Sequence, residues 1–295
     1  MKTSLFSMVF LLLFSAGLSA QSIYLRAGTG YGLPIATDII GEQYLHTQVY
    51  NGVSTTNSNS DKSVTGSYGA GTNFNFALGY KFNENFIFEI STQYSISNKL
   101  KTFDKDIITD KTNPLNNWVD NNTTSESAKG LFINPSLIFS AGFGKAAPYG
   151  RFGIVFGTPK VTKDESYYYN GDGIDSTERS WEYTKGLSFG FQGAVGMNWK
   201  LNDKLDIYTE LNFISMTYYA GEYNLTKEIS SNGTTVYDNL PNLYLSQKQT
   251  IYKKEYDPTV AYDPAKPSVA LRDGKPFSSV SLQVGIRFAL WKKAE

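Results

Sequence analysis

Five charged residues are the most distinctive candidates for chemistry in this sequence. They are Arg26, Glu89, Arg151, Glu210 and Arg287. Each lies in a segment where apolar and polar residues alternate, and each falls on the polar side of that segment. A charge that is removed from water needs an opposite charge beside it. Three cations and two anions on one enclosed surface therefore predict an ion-pair network, which would either fill an interior or gate a narrow path.

Catalysis and metal binding have weaker support in the residue types. Glu89 and Glu210 could form an acid–base pair, but no path for a substrate is evident between them. The one histidine, His46, could in principle join a serine and an acid in a hydrolase, yet it lies in a polar segment and is expected to be an exposed residue. No second histidine supports a metal site. The sequence predicts no catalytic, cofactor-binding or metal-binding residues.

Two short motifs resemble ligand loops but lack the context that those loops need. The glycines of residues 28–32 lie inside an alternating segment, whereas a nucleotide loop joins a strand to a helix. Residues 170–175 read Asn-Gly-Asp-Gly-Ile-Asp, which fails the spacing of a calcium-binding EF-hand and fits a hairpin tip. Neither a nucleotide nor calcium is expected.

The five charges are predicted to be positioned by β-strands, because strict alternation places successive side chains on opposite faces. The last segment is the clearest: every second residue from Val280 to Leu290 is apolar, and the residues between are small or polar. The predicted strands are residues 22–33, 70–82, 86–97, 131–143, 148–158, 187–199, 205–213 and 280–291. Pro135 is expected to mark a bulge, because proline cannot donate to the strand ladder.

The connections between these strands alternate in length. The short turns are residues 83–85, 144–147 and 201–204, and the long loops are residues 34–69, 99–130, 159–186 and 220–276. An even strand number with alternating short turns and long loops is typical of a transmembrane barrel. The prediction is an all-β fold, an eight-stranded antiparallel transmembrane up-and-down β-barrel with its apolar face outward. A lipocalin-like barrel with its apolar face inward is the alternative.

The composition limits the remaining classes of function. The chain has 295 residues, a formal net charge of zero and no cysteine, which argues against a nucleic-acid partner and excludes thiol chemistry. Its mean hydropathy of −0.31 does not fit a helical membrane protein. Lys2, an apolar run over residues 5–14 and small residues up to Ala20 predict a signal peptide over residues 1–20. The barrel would then occupy residues 21–295.

The final strand, ending in an aromatic residue near the C-terminus, resembles the closing strand of bacterial outer-membrane barrels. Over its whole mature length the chain resembles small barrels of the OmpA and OmpX type and their counterparts in Bacteroidetes. The resemblance implies an outer-membrane location, contact with lipid and lipopolysaccharide, and a structural or surface-interaction role around a plugged lumen. A narrow small-solute channel, gated by the five charges, is the alternative, and a lipid-modifying enzyme is a weaker one.

The four long loops predict where a partner would bind. They carry a tyrosine cluster at residues 167–169, and Tyr218 and Tyr219 lie immediately before the fourth loop. Tyrosine presents a rigid contact surface that is both apolar and polar. A surface protein or a polysaccharide is the expected class of partner. No cofactor is expected.

Overall fold

The computed structural model describes residues 22–35, 37–141, 145–171, 175–255 and 261–292. The predicted signal peptide, Gly144 of the second short turn and the centre of the 170–175 motif lie outside the described residues. Helical structure in the described ranges is limited to the 3-10 turns Pro114–Asn116 and Leu240–Asn242 and the helix Leu245–Lys248. No described helix has the length and apolar character needed to span a membrane.

Strands make up most of the described chain. In chain order they are β1 (Ser22–Pro34), β2 (Asp38–Tyr50), β3 (Thr55–Gly66), β4 (Gly71–Lys81), β5 (Phe86–Ser97), β6 (Leu100–Asp110), β7 (Trp118–Ser140), β8 (Ala146–Gly157), β9 (Lys160–Tyr169), β10 (Asp175–Thr184), β11 (Leu187–Lys200), β12 (Leu205–Tyr219), β13 (Glu222–Ser231), β14 (Val236–Asp238), β15 (Gln249–Lys253), β16 (Ser268–Leu271), β17 (Gly274–Pro276) and β18 (Ser279–Lys292).

Eight of these strands close into an antiparallel barrel. The order around the barrel is β1–β4–β5–β7–β8–β11–β12–β18, and β18 pairs back onto β1 over the full length of β1. Closure pairs the backbone groups of every barrel strand on both sides, which a membrane requires because lipid offers no hydrogen bonds. The fold predicted from the alternation is confirmed.

The two faces of the barrel wall differ as the alternation predicts. Along β12, the buried residues Tyr208, Glu210 and Asn212 alternate with more exposed neighbours such as Leu211 and Phe213. Leu211 is 50% exposed and Phe213 is 48% exposed. A continuous band of exposed apolar side chains around a polar interior is the pattern of a wall that faces lipid.

The bulge expected at Pro135 is absent from the described ladder. Ile133 pairs with Phe156 and Ser136 pairs with Gly153, so the register between β7 and β8 is the same on both sides of the proline. The register between β5 and β7 is also continuous through Ile90 and Pro135. The prediction of a bulge was wrong, because closed pairing on both sides of β7 holds the register through a residue that cannot donate.

The four segments expected to be loops contain strands. These strands continue the wall past the ends of the eight barrel strands. We call this region the extension, and it consists of β2, β3, β6, β9, β10 and β13–β16 with the first half of β7. The 23-residue β7 joins the two parts, pairing with β5 and β8 in the barrel and with β6 and β9 in the extension. Alternation is weak here because both faces of many of these strands contact water, as the exposed residues of β3 show.

An arginine substituted on the outer face of the barrel is expected to destabilise the fold. Leu211→Arg should lower the free energy of unfolding by about 2–4 kcal/mol if the site lies near the bilayer midplane. The matched control is Val53→Arg, since Val53 is 93% exposed at the turn between β2 and β3 and should tolerate the charge. Urea unfolding of both variants in lipid vesicles measures the difference. Equal tolerance would favour the lipocalin-like alternative.

Candidate functional site in the barrel lumen

Four of the five predicted charges meet in the lumen. Arg26 of β1 and Arg151 of β8 lie between Glu89 of β5 and Glu210 of β12, and each arginine contacts both glutamates. The Arg26–Glu210 and Arg151–Glu89 pairs have N–O distances of 3.1 Å and 3.0 Å, and Arg26–Glu89 is longer at 3.4 Å. All four side chains are at most 3% exposed. We call these residues the quartet; its formal charge is zero.

Tyrosines complete the coordination of the quartet. The Tyr24 hydroxyl donates to Glu89 over 2.7 Å, and the Tyr149 hydroxyl donates to Glu210 over 2.8 Å. The Arg26 guanidinium lies 4.4 Å from the centre of the Tyr208 ring, a favourable cation–π distance. Tyr208 fits across the lumen because residue 28 is glycine, where a methyl group would overlap the Tyr208 hydroxyl.

Arg287 is separate from the quartet, contrary to the expectation of one five-membered network. It pairs with Asp206, its cross-strand neighbour on β12, with 2.7 Å between Nε and Oδ2. Arg287 is also directly opposite Arg26 in the β1–β18 pairing, and two like charges in that position need separate carboxylates. Tyr24 links Arg287 to the quartet: its ring centre is 5.2 Å from the Arg287 guanidinium, and its hydroxyl donates to Glu89.

Asp206 is the functional residue that the sequence analysis missed. The predicted set holds one more cation than anions, and a buried excess charge calls for another acid. Asp206 lies on the polar side of the β12 alternation, so the charge imbalance could have identified it.

Two further layers lie above the quartet, on the side of the extension. The order along β12 is Glu210, then Asn212, then the apolar Ile214 and Met216, all buried. We call the second layer the amide layer; it consists of buried asparagines and glutamines, namely Asn73, Asn75, Gln93, Asn134, Gln192, Asn212 and Gln283.

The third layer, which we call the upper cluster, consists of buried apolar and aromatic side chains. It packs Tyr68, Phe132, Val155, Val161, Tyr183, Ile214, Met216, Tyr218 and Phe277 with Ala128 and Ala220. Tyr68, Val161, Tyr183 and Ala220 come from segments that were expected to be loops. The Tyr68 hydroxyl donates to Glu126, and burial raises the pKa of Tyr68 well above its usual range. The hydroxyl therefore stays protonated and can donate.

Of the candidates for catalysis, the histidine lies outside the lumen and the two glutamates lie inside it. His46 lies on β2 in the extension, where its Nδ1 is 3.0 Å from Asp106 Oδ1 and both side chains are partly exposed. Glu89 and Glu210 lie inside the lumen, where each contacts both arginines of the quartet. Within the described ranges, no group of three or more histidines or acids has the geometry to hold a metal ion.

The extension carries a polar cleft of about 230 Å³. It is lined by Asn122, Glu165, Tyr167, Thr177 and Arg179. Arg179 pairs with Glu228, with 3.0 Å between Nε and Oε2. Tyr167 belongs to the tyrosine cluster of the sequence analysis and remains exposed.

A closed antiparallel barrel with an apolar outer face and a charged interior defines an outer-membrane β-barrel protein. Residues 8–237 match the family model described as the outer membrane protein beta-barrel domain, and the chain belongs to that family. The chain is similar to the crystal structure of the outer membrane protein OprG from Pseudomonas aeruginosa. The alignment covers 93% of this chain and 98% of the OprG chain, with 11% sequence identity and a TM-score of 0.39. No curated protein matches the chain.

Proposed function

We propose that the protein is a structural outer-membrane barrel with a plugged lumen, whose extension contacts partners at the cell surface. The observation that carries the proposal is the quartet, in which four buried charges from four strands neutralise one another across the lumen. An eight-stranded barrel is only wide enough for side chains to fill. The upper cluster adds a second, apolar closure above the quartet.

Surface contact is the second part of the proposal. The cleft combines the ring of Tyr167 with hydroxyl, amide and charged groups, which suits a polysaccharide or the polar surface of another protein. A barrel with only a structural role in the membrane would not need a wall that extends so far beyond its eight barrel strands. Lipid and lipopolysaccharide are the proposed contacts of the apolar band.

We place residues 1–20 as a cleaved signal peptide, the short turns in the periplasm and the extension outside the cell. We propose that the protein belongs to the subfamily of small barrels of the OmpA and OmpX type, with those of Bacteroidetes as its counterparts. We propose no enzymatic activity and no nucleic-acid partner.

A planar-bilayer recording of the wild-type protein tests the plug. We expect conductance near the baseline of protein-free bilayers, because under this proposal the quartet and the upper cluster fill the lumen. A known open porin reconstituted in the same lipid is the positive control. Regular unitary steps from the wild-type protein would contradict the plug and favour the small-solute channel.

A further inference from the structure

The amide layer holds more hydrogen-bonding capacity than the barrel itself uses. Its seven side chains come from β4, β5, β7, β11, β12 and β18, and all are at most 8% exposed. Some bond to each other, as Gln192 does to Asn212 over 2.8 Å. Others have buried atoms without a partner among the described residues, namely Gln93 Oε1, both polar atoms of the Asn134 side chain, Gln192 Oε1, Asn212 Nδ2 and Gln283 Oε1.

These atoms face the lumen. Asn134 and Asn212 are fully buried and alternate along their strands with neighbours that are more exposed. A buried amide without a hydrogen bond is strongly unfavourable, and buried polar side chains in folded proteins nearly always have a partner. So many unpartnered atoms in one layer indicate that the layer binds something that the chain does not supply.

The chemistry of the layer defines the ligand. The unpartnered atoms include acceptors, such as Gln283 Oε1, and donors, such as Asn212 Nδ2, so the ligand must both donate and accept. The layer has no formal charge, and the nearest charges, the quartet, already neutralise one another. The ligand is therefore uncharged.

The position of the layer limits the size of the ligand. The quartet closes the lumen below it, and the apolar upper cluster closes it above. We propose that the amide layer is a binding chamber for small uncharged molecules that donate and accept hydrogen bonds, either ordered water or a small polyol or amide. This site is distinct from the surface contacts proposed for the extension, and it would exist whether or not those contacts do.

Asn134 offers the sharpest test, because its side chain has no partner within the described structure. If the chamber holds a ligand, Asn134→Leu removes two hydrogen bonds to that ligand. The ligand then binds the other amide side chains of the chamber less well, so the melting temperature should fall. If the chamber is dry, the same change removes two unsatisfied groups, and the melting temperature should rise. Asn57→Leu, at an exposed position of β3, is the matched control and should shift the melting temperature little.

A direct measurement on the wild-type protein does not depend on the variant folding. NMR in lipid nanodiscs should show magnetisation transfer from water to the side-chain amides of Asn134 and Asn212. Adding glycerol or urea to protein purified without polyols should shift these two resonances saturably if a small solute binds, and should leave them unchanged if only water does. Both results support the chamber. The chamber would be overturned if the amides showed no transfer from water and no shift with glycerol or urea, while Asn134→Leu raised the melting temperature. Saturable shifts produced by sodium chloride alone would also overturn it.

Discussion

Glu210→Ala is expected to lower the free energy of unfolding by about 3–5 kcal/mol, the usual cost of breaking a buried ion pair by removing one partner. Arg26 and Arg151 would then share Glu89 alone, and Tyr149 would lose its acceptor. The lumen could reduce this cost by admitting water, which would also admit ions. We therefore expect a lower melting temperature together with conductance above the wild-type baseline.

The matched control for Glu210→Ala is Glu178→Ala. Glu178 pairs with Lys227 on the surface of the extension, where their side chains are 60% and 43% exposed, and such pairs contribute at most about 1 kcal/mol. Thermal unfolding and bilayer recording on both variants separate the explanations. If Glu210→Ala kept wild-type stability and altered only ion selectivity, the quartet would already be hydrated, and the channel would become the preferred function.

Truncation after Asp273 is expected to abolish the folded barrel. The deletion removes β18, which pairs with β1 from Ser22 to Pro34 and with β12 from Leu205 to Ile214. Two strand edges would then face hydrocarbon, where each unsatisfied backbone group costs several kcal/mol. Extraction of outer membranes followed by heat-modifiability on gels should recover no folded product.

A deletion of comparable size in the extension controls for loss of chain alone. Replacing residues 39–65 with a short turn removes most of β2 and β3 but no barrel strand, and it keeps Tyr68 in the upper cluster. We expect this variant to fold and insert, because the edge it exposes on β6 faces water. A membrane-integrated, heat-modifiable product from the Asp273 truncation would contradict eight-strand closure.

The sequence alone was sufficient for the barrel and for its two faces. Successive side chains of a transmembrane strand face lipid and lumen in turn, so the alternation from Val280 to Leu290 predicts the strand and the two sets of residues on its faces. The alternation alone left open which face points outward, and the structure places the apolar face outside. The same alternation placed Arg26, Glu89, Arg151 and Glu210 on the lumen side. It could not predict the strands of the extension, since a wall with water on both sides, such as β3, imposes no apolar period.

Only the tertiary structure decided which charges pair. Alternation specifies the face of a residue but not its height or its neighbours, which depend on strand register and on the stagger of the closed barrel. Register sets Arg287 opposite both Arg26 and Asp206, so four of the five predicted charges form the quartet and the fifth, Arg287, pairs with Asp206. The upper cluster depends on tertiary structure for the same reason: Tyr68, Tyr183 and Phe277 are far apart in the chain, and only barrel closure brings them together above the amide layer.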